Sequence, residues 1–388
     1  MRSERSESGD RSADLLVVGG GIIGLACAWR AAEAGLGVVV ADAGPAERAS
    51  EVAAGMIAPV GEARWGEDAL VAAAIASAAA WPGFAAELER ASSREVPYRR
   101  RGALHVALDT DEAAVLRRLH ELHERLGLDA SWLRASECRR LEPGLATGVT
   151  GGVDVPGEAE VDPRAVVPAL REALRAAGGE LRMEAAVESI TIESGRVAGA
   201  RLAGGAVVTA PRVLLASGAR WSAGLLPAEL LATLPVVRPV KGEVLRLSAG
   251  PGERPCERIV VTERVYVVPR DGAEVVIGAT VEERGFDRRV TAGGVHELLR
   301  EGYRALPEIA ELELVECTAG LRPATADNAP VVGASEIEGL LLAGGHHRNG
   351  ILLAPITAEA IAALLAGGEA PAAAAALAPA RLAAGVPA

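Results

Sequence analysis

Residues 14–42, DLLVVGGGIIGLACAWRAAEAGLGVVVAD, decide the fold, because they spell a whole strand, turn, helix and second strand in one run. The apolar stretch 15–18 reads as a buried parallel strand, and Gly19, Gly21 and Gly24 follow it in the spacing G-x-G-x-x-G. Residues 22–34 read as a helix stopped by Gly35 and Gly37. A second strand follows at 38–40, and Asp42 stands eighteen positions after Gly24 (42 minus 24). The first glycine permits the tight turn, the second lets backbone approach a pyrophosphate, and the third lets helix and strand pack closely. The pyrophosphate belongs on the helix N-terminus, where unpaired N–H groups and the helix dipole attract anions. Asp42 would accept a hydrogen bond from a ribose 2′-hydroxyl and repel a 2′-phosphate, so the ligand is a dinucleotide other than NADP. In a chain with 45 glycines an isolated motif reads equally well as an ordinary turn; the flanking strands, helix and acid separate the two readings.

The 388 residues correspond to two or three domains of ~150 residues. Half of them are hydrophobic but only 3% are aromatic, so Ala, Val and Leu must fill the core. A net charge of −12 argues against a general nucleic-acid or acidic-membrane surface, which needs clustered Lys and Arg. The short basic cluster Arg99, Arg100 and Arg101 reads as a solvated strand edge. Cys27, Cys138, Cys256 and Cys317 are far apart with no C-x-x-C, as expected of reduced thiols in a cytoplasmic protein, and no metal site is expected. No membrane span is expected either.

Alanine-rich residues 67–91 read as helix, with Pro82 marking a break or a new start. Residues 98–108 read as strand, and 111–126 as an amphipathic helix with Leu116, Leu119, Leu122 and Leu126 on one face. Asp162 and Pro163 open another helix as N-cap and first residue, and Gly178 and Gly179 end it. Long antiparallel strands follow from 236 to 280, including a hairpin turning at Asp271-Gly272, then a helix near 291–305 and a last helix from about Asn349. Rossmann-like material thus appears at the start, middle and end, with β-rich material inserted twice. The expected division is a disordered lead-in at 1–13, a discontinuous dinucleotide-binding domain at 14–88, 150–222 and 316–368, a substrate domain at 89–149 and 223–315, and a disordered tail at 369–388.

Three later features bear on chemistry. Tyr266 sits in an otherwise apolar strand, where a core tyrosine with a backbone partner is the ordinary expectation. Arg322 lies in GLRPATADNAP, where an ion pair with Asp327 is the ordinary one. In GGHHRNGILLAP, residues 344–355, glycines and His346, His347, Arg348, Asn349 and Gly350 lead from a buried strand toward a helix. Backbone N–H groups there would face something electron-rich, such as the N1–C2 carbonyl edge of a flavin. Adjacent histidines point in different directions, so a shared metal is disfavoured.

The span 14–365 resembles the D-amino-acid oxidase family of FAD-dependent oxidoreductases, most closely its glycine oxidase branch, which serves thiamine thiazole synthesis. The matching segments are VVGGGIIG, AAGMIAP at 53–59, PVKGEVLRL at 239–247, VYVVPRDGAEVVIGAT, GLRPATADNAPVVG and GHHRNGILLAP. The resemblance implies an α/β architecture in which a discontinuous Rossmann-like FAD-binding domain joins an antiparallel β-rich substrate domain. It implies a small amino-acid or amine substrate, oxygen as acceptor, and a homo-oligomer such as a tetramer. Tyr266 and Arg322 would be the catalytic pair holding the substrate carboxylate, with Arg348 beside them as a further substrate-binding residue. FAD would touch Ile22, Ile23, Asp42, Ala49, Ser50, Ala54, Gly55 and Met56 in addition to the motif glycines, Val187 through backbone, and His346, His347, Arg348, Asn349, Gly350, Ile351 and Leu352. Cys317 falls about a turn early for a covalent flavin link and Gly320 occupies the closer match, which favours non-covalent FAD. The sequence departs from the branch at Val281, where a methionine can stand, and at Arg264, where a histidine can stand. Sarcosine oxidase, a broad D-amino-acid oxidase, an amino-acid dehydrogenase and a non-catalytic FAD module are the alternatives.

Overall fold

The computed structural model describes residues 11–44, 49–221, 224–250 and 253–383. A six-stranded sheet runs in the order Glu180–Arg182, Val38–Ala41, Leu15–Val18, Val213–Leu215, Leu340–Gly344, Val331–Ala334. All neighbours are parallel except the last pair. The unbroken apolar run at Leu15–Val18 follows from coverage on both faces: Leu15 and Val17 enter one core, Leu16 and Val18 the other. Helices Ile22–Glu33, Asp68–Ser92, Pro163–Ala176 and Ala354–Leu365 pack together over the first face. A four-stranded sheet covers the second.

An eight-stranded sheet forms the other half, in the order Glu313–Ala324, Arg238–Ser248, Glu274–Gly278, Tyr266–Pro269, Ile259–Val261, Ala103–Ala107, Gly151–Val155, Ser131–Arg134. It is antiparallel apart from the pairing of Ile259–Val261 with Ala103–Ala107. The hairpin is present, with Tyr266 opposite Gly278 and Gly272 at φ +81° in its turn. Asp162 caps its helix by accepting from Arg164 N at 2.9 Å, as the sequence requires.

Several expectations are corrected. Strands Gly151–Val155 and Glu313–Ala324 lie in the eight-stranded sheet, so the boundaries at 150 and 316 do not follow the sheets. Which sheet a strand joins is set by distant partners, here Ala103–Ala107 and Arg238–Ser248. Pro82 does not interrupt helix Asp68–Ser92. Its neighbour Trp81 is fully buried and donates from Nε1 to Leu352 O at 3.0 Å, fixing the chain where a break was expected. This helix is long and apolar enough to cross a membrane, but it packs on Pro163–Ala176 and Ala354–Leu365 with Trp81 and Leu88 fully buried, which accounts for its composition as core. Residues 98–108 split into Tyr98–Arg99 and Ala103–Ala107 around Gly102, at φ +73°. Arg99 and Arg101 are not merely solvated, since both reach Asp271 in the hairpin turn at 2.6 Å.

The ends are corrected as well. Residues 1–10 lie outside the described residues, but Arg11–Ser12 form a strand parallel to Val207–Thr209. The expected disordered tail docks through residue 383. Leu377 is 1% exposed, its carbonyl accepts from Val332 N at 2.9 Å, and Arg381 pairs with Asp327 at 2.9 Å. Alanine-rich composition conceals this because, among the described residues, the tail contributes only two buried side chains, Ala374 and Leu377. Leu377→Ala should therefore destabilise the protein by roughly 2–5 kcal/mol in a denaturant titration. An unchanged midpoint would mean that the tail does not dock.

Candidate active site

A cavity of about 710 Å³ runs from the C-terminal ends of the parallel strands to the face of the eight-stranded sheet. That volume lies within the ~300–1,000 Å³ common for ligand pockets. At its nucleotide end Gly19 turns at φ +112°, and a Cβ there would lie 2.4 Å from Ala216 O. Gly24 faces inward: a Cβ would lie 2.0 Å from Gly19 O, so only glycine lets the helix approach the strand. Gly21 is different. A Cβ there would meet only Ser50 Oγ, at 3.5 Å, so the bare side of this residue opens on the cavity. The helix starts at Ile22 with no side-chain cap at Gly21, although Ile22 N donates to Ser50 Oγ at 3.1 Å. Asp42, at the tip of the second strand, accepts from Gly20 N at 2.6 Å and Gly44 N at 2.9 Å while lining the cavity.

Ile22, Ile23, Ala49, Ser50, Ala54, Met56 and Val187 also line the cavity, Ala54 and Met56 in the cluster that includes Tyr266. Gly55 adopts φ +77° and a Cβ would collide with Val161 O, which fixes this bend as glycine. Of the residues expected to touch the cofactor, Gly24 alone does not line the cavity; its place is in the helix–strand contact.

The 346–352 loop closes one side, with His346, His347, Arg348, Asn349, Gly350, Ile351 and Leu352 all on the lining. It is a short 3-10 turn, His347–Asn349, and the regular helix begins later at Ala354 than the sequence indicates. His346 Nε2 lies 3.0 Å from Thr357 Oγ1, and burial pushes its pKa down to about 3. Burial also pushes His347 down to about 4, so both rings are neutral near pH 7.

Tyr266 and Arg322 come together on the eight-stranded sheet from strands that are not neighbours. Two glycines allow it. A Cβ on Gly278 would lie 2.3 Å from the Tyr266 hydroxyl, and one on Gly242 would lie 2.3 Å from Arg322 Nη2, so both polar ends lie flat over bare backbone. Burial pushes the Tyr266 phenol up, against the opposing effect of Arg322, and it stays protonated. Arg322 Nη1 donates to Thr280 O at 3.0 Å and Lys241 O at 3.4 Å. The ion pair with Asp327 is absent, because Asp327 is held by Arg381 from the docked tail. Arg264 and Val281 stand at the mouth, Val281 being 73% exposed.

The sequence does not single out Glu62. This cavity-lining acid is ion-paired with Arg348, whose Nη2 also donates to Glu62 O at 3.2 Å. Burial would raise the Glu62 pKa, but Arg348 and Arg64 outweigh it and hold the carboxyl below its usual range. Nor does it single out Gly242 and Gly278, although a glycine inside a strand is the available signal for a close approach. None of the four cysteines is on the cavity lining.

A family model for FAD dependent oxidoreductases matches residues 14–364. The chain is 35% identical over 352 residues to the bifunctional protein ThiO/ThiG of Trichormus variabilis, covering 90% of this chain and 52% of that protein. It thus spans about half the length of the relatives of that kind. It is 34% identical to the glycine oxidase of Geobacillus kaustophilus, covering 91% of this chain and 92% of that one. The solved glycine oxidase from the same organism matches with a TM-score of 0.88 at 32% identity, covering 95% and 98% of the two chains. Iminodiacetate oxidase from Chelativorans sp. matches with a TM-score of 0.84 at 27% identity, over 94% and 98%.

Because a side chain at Gly21 meets open cavity and not protein, Gly21→Val should fold with a near-parental thermal transition after flavin removal, yet fail to retain a dinucleotide. Stoichiometric flavin in the purified variant would remove the basis for placing the pyrophosphate here.

Proposed function

The chain belongs to the family of FAD-dependent oxidoreductases, and on that footing we propose that it oxidises glycine, with sarcosine and small D-amino acids as further substrates. The products are glyoxylate or a 2-oxo acid, ammonia or an amine, and hydrogen peroxide. The observation that carries this reading is the pairing of Arg322 with Tyr266 over Gly242 and Gly278, with backbone carbonyls as the hydrogen-bond partners of the guanidinium.

The residues present fit FAD: Gly21 offers a bare approach at an uncapped helix start, Asp42 stands where a ribose hydroxyl would be met, and the 346–352 loop closes the far end. No cavity-lining cysteine is available for a covalent link, in keeping with non-covalent binding. When bound, FAD supplies the two-electron oxidation at the substrate Cα and hands the electrons to oxygen.

Arg322 would take the substrate carboxylate in a charge-assisted pair, and the protonated Tyr266 hydroxyl would donate a further bond. These contacts fix the direction of the Cα–H bonds, converting an encounter into an oriented reaction. With the substrate amine neutral, its lone pair drives C–H cleavage and no protein base is required. Arg348, compensated by Glu62, serves as a wall of the substrate end more than as a second clamp. For glycine the balance is glycine, water and oxygen giving glyoxylate, ammonia and hydrogen peroxide. A clamped carboxylate leaves one hydrogen facing the cofactor, so L side chains would clash. Small D side chains would point to the open mouth at Val281. The likeness to ThiO/ThiG supports a place in thiamine thiazole synthesis.

Glycine should bleach the flavin anaerobically in the purified enzyme, and amines without a carboxylate should not. Arg322→Leu should keep FAD and lose roughly 30-fold or more in kcat/KM, in line with about 2–5 kcal/mol for a broken buried charge pair. Failure of glycine to reduce the flavin, or equal oxidation of methylamine, would sink the proposal.

A further inference from the structure

Directly beneath Arg322 lies a charged cluster with no part in the chemistry above. Lys241 and Glu243 are 1% and 0% exposed, and Lys241 Nζ donates to Glu243 Oε1 at 2.6 Å and to Glu282 Oε2 at 3.3 Å. Burial would lower the Lys241 pKa, but Glu243 and Glu282 outweigh it and keep the ammonium charged. Thr280 ties the cluster together. Its hydroxyl accepts from Glu243 N at 2.9 Å and donates to Glu282 Oε1 at 2.8 Å. Lys241 and Glu282 also exchange backbone bonds, at 2.9 and 3.0 Å.

The two carbonyls that receive Arg322 Nη1 belong to Thr280 and Lys241, members of this cluster. The two glutamates are matched by Lys241 and, at Glu282, by Arg284 Nε at 3.6 Å, so the cluster is held by its own ion pairs and places no acid where the substrate carboxylate must bind. A carboxylate in direct contact would compete with the substrate; a carbonyl pair fixed by the cluster holds the guanidinium and leaves its other donors available.

Resting on the carboxylate clamp proposed above, we propose that Thr280, with Lys241, Glu243 and Glu282, is the positioning element of Arg322. The Thr280 hydroxyl fixes the 279–282 segment against strand Arg238–Ser248, and thereby fixes the carbonyl that aims the guanidinium.

The test uses the FAD-loaded enzyme, with acetate as a non-reacting carboxylate probe read by perturbation of the flavin spectrum. Thr280→Val should retain flavin, raise the acetate Kd and the glycine KM in parallel by about tenfold, corresponding to ~1.4 kcal/mol, and leave kcat within about threefold. Thr280→Ser, which restores the hydroxyl, should return both constants to within twofold of the parent. Unchanged acetate and glycine constants in Thr280→Val would overturn the proposal, as would a kcat loss without a KM change. If both Thr280→Val and the less demanding Thr280→Ala fail to retain flavin, the segment is a structural strut and the proposal also fails. A parent enzyme whose flavin ignores acetate, and whose glycine oxidation acetate does not inhibit, would instead contradict the clamp itself.

Discussion

The absence of a side chain at position 24 is the constraint on which the rest of the molecule depends. A Cβ there would lie 2.0 Å from Gly19 O, so any other residue would push helix Ile22–Glu33 off the strand it follows. With hydrogen in that place, the helix start comes to the tip of the parallel sheet, beside Asp42 and Ser50. The four-helix layer packs on the same element, and the cavity opens where it begins. Backbone approach thus fixes where an anionic ligand meets the helix N-terminus.

At the opposite end the same device is used for side chains. Gly242 and Gly278 leave bare patches on adjacent strands, and the ends of Arg322 and Tyr266 occupy the space. A guanidinium without an acidic partner is costly to bury. Here it rests on two carbonyls whose residues belong to an ion-paired, hydrogen-bonded cluster. Support by carbonyls and not by an acid keeps the front of the arginine available, which is what recognition of a small carboxylate requires.

The nucleotide half was legible because its signals are local: apolar run, glycine spacing, helix and acid all fall within residues 14–42. The substrate half was legible in its hairpin, whose turn and strands are contiguous, but not in its sheet order or domain boundaries, which depend on strands far apart in sequence. The roles proposed for Tyr266 and Arg322 come from family resemblance alone; as isolated residues they match the description of a core tyrosine and an ion-paired arginine. The Arg322–Asp327 pairing fails for the same reason that residues 369–383 are docked. Arg381, 54 positions away, is the partner that Asp327 takes. Glu62 escaped notice because nothing near it in sequence signals its contact with Arg348 across the cavity.

The central claim is that the substrate carboxylate lies against Arg322 and Tyr266. It is tested most directly by a crystal structure of the FAD-bound enzyme with glycolate, a close mimic of glycine lacking the amine. The account places the glycolate carboxylate against the Arg322 guanidinium and within hydrogen-bond distance of the Tyr266 hydroxyl, with Arg348 still paired to Glu62. A carboxylate seated instead on Arg348, or on Arg264 at the mouth with Arg322 unengaged, would contradict it.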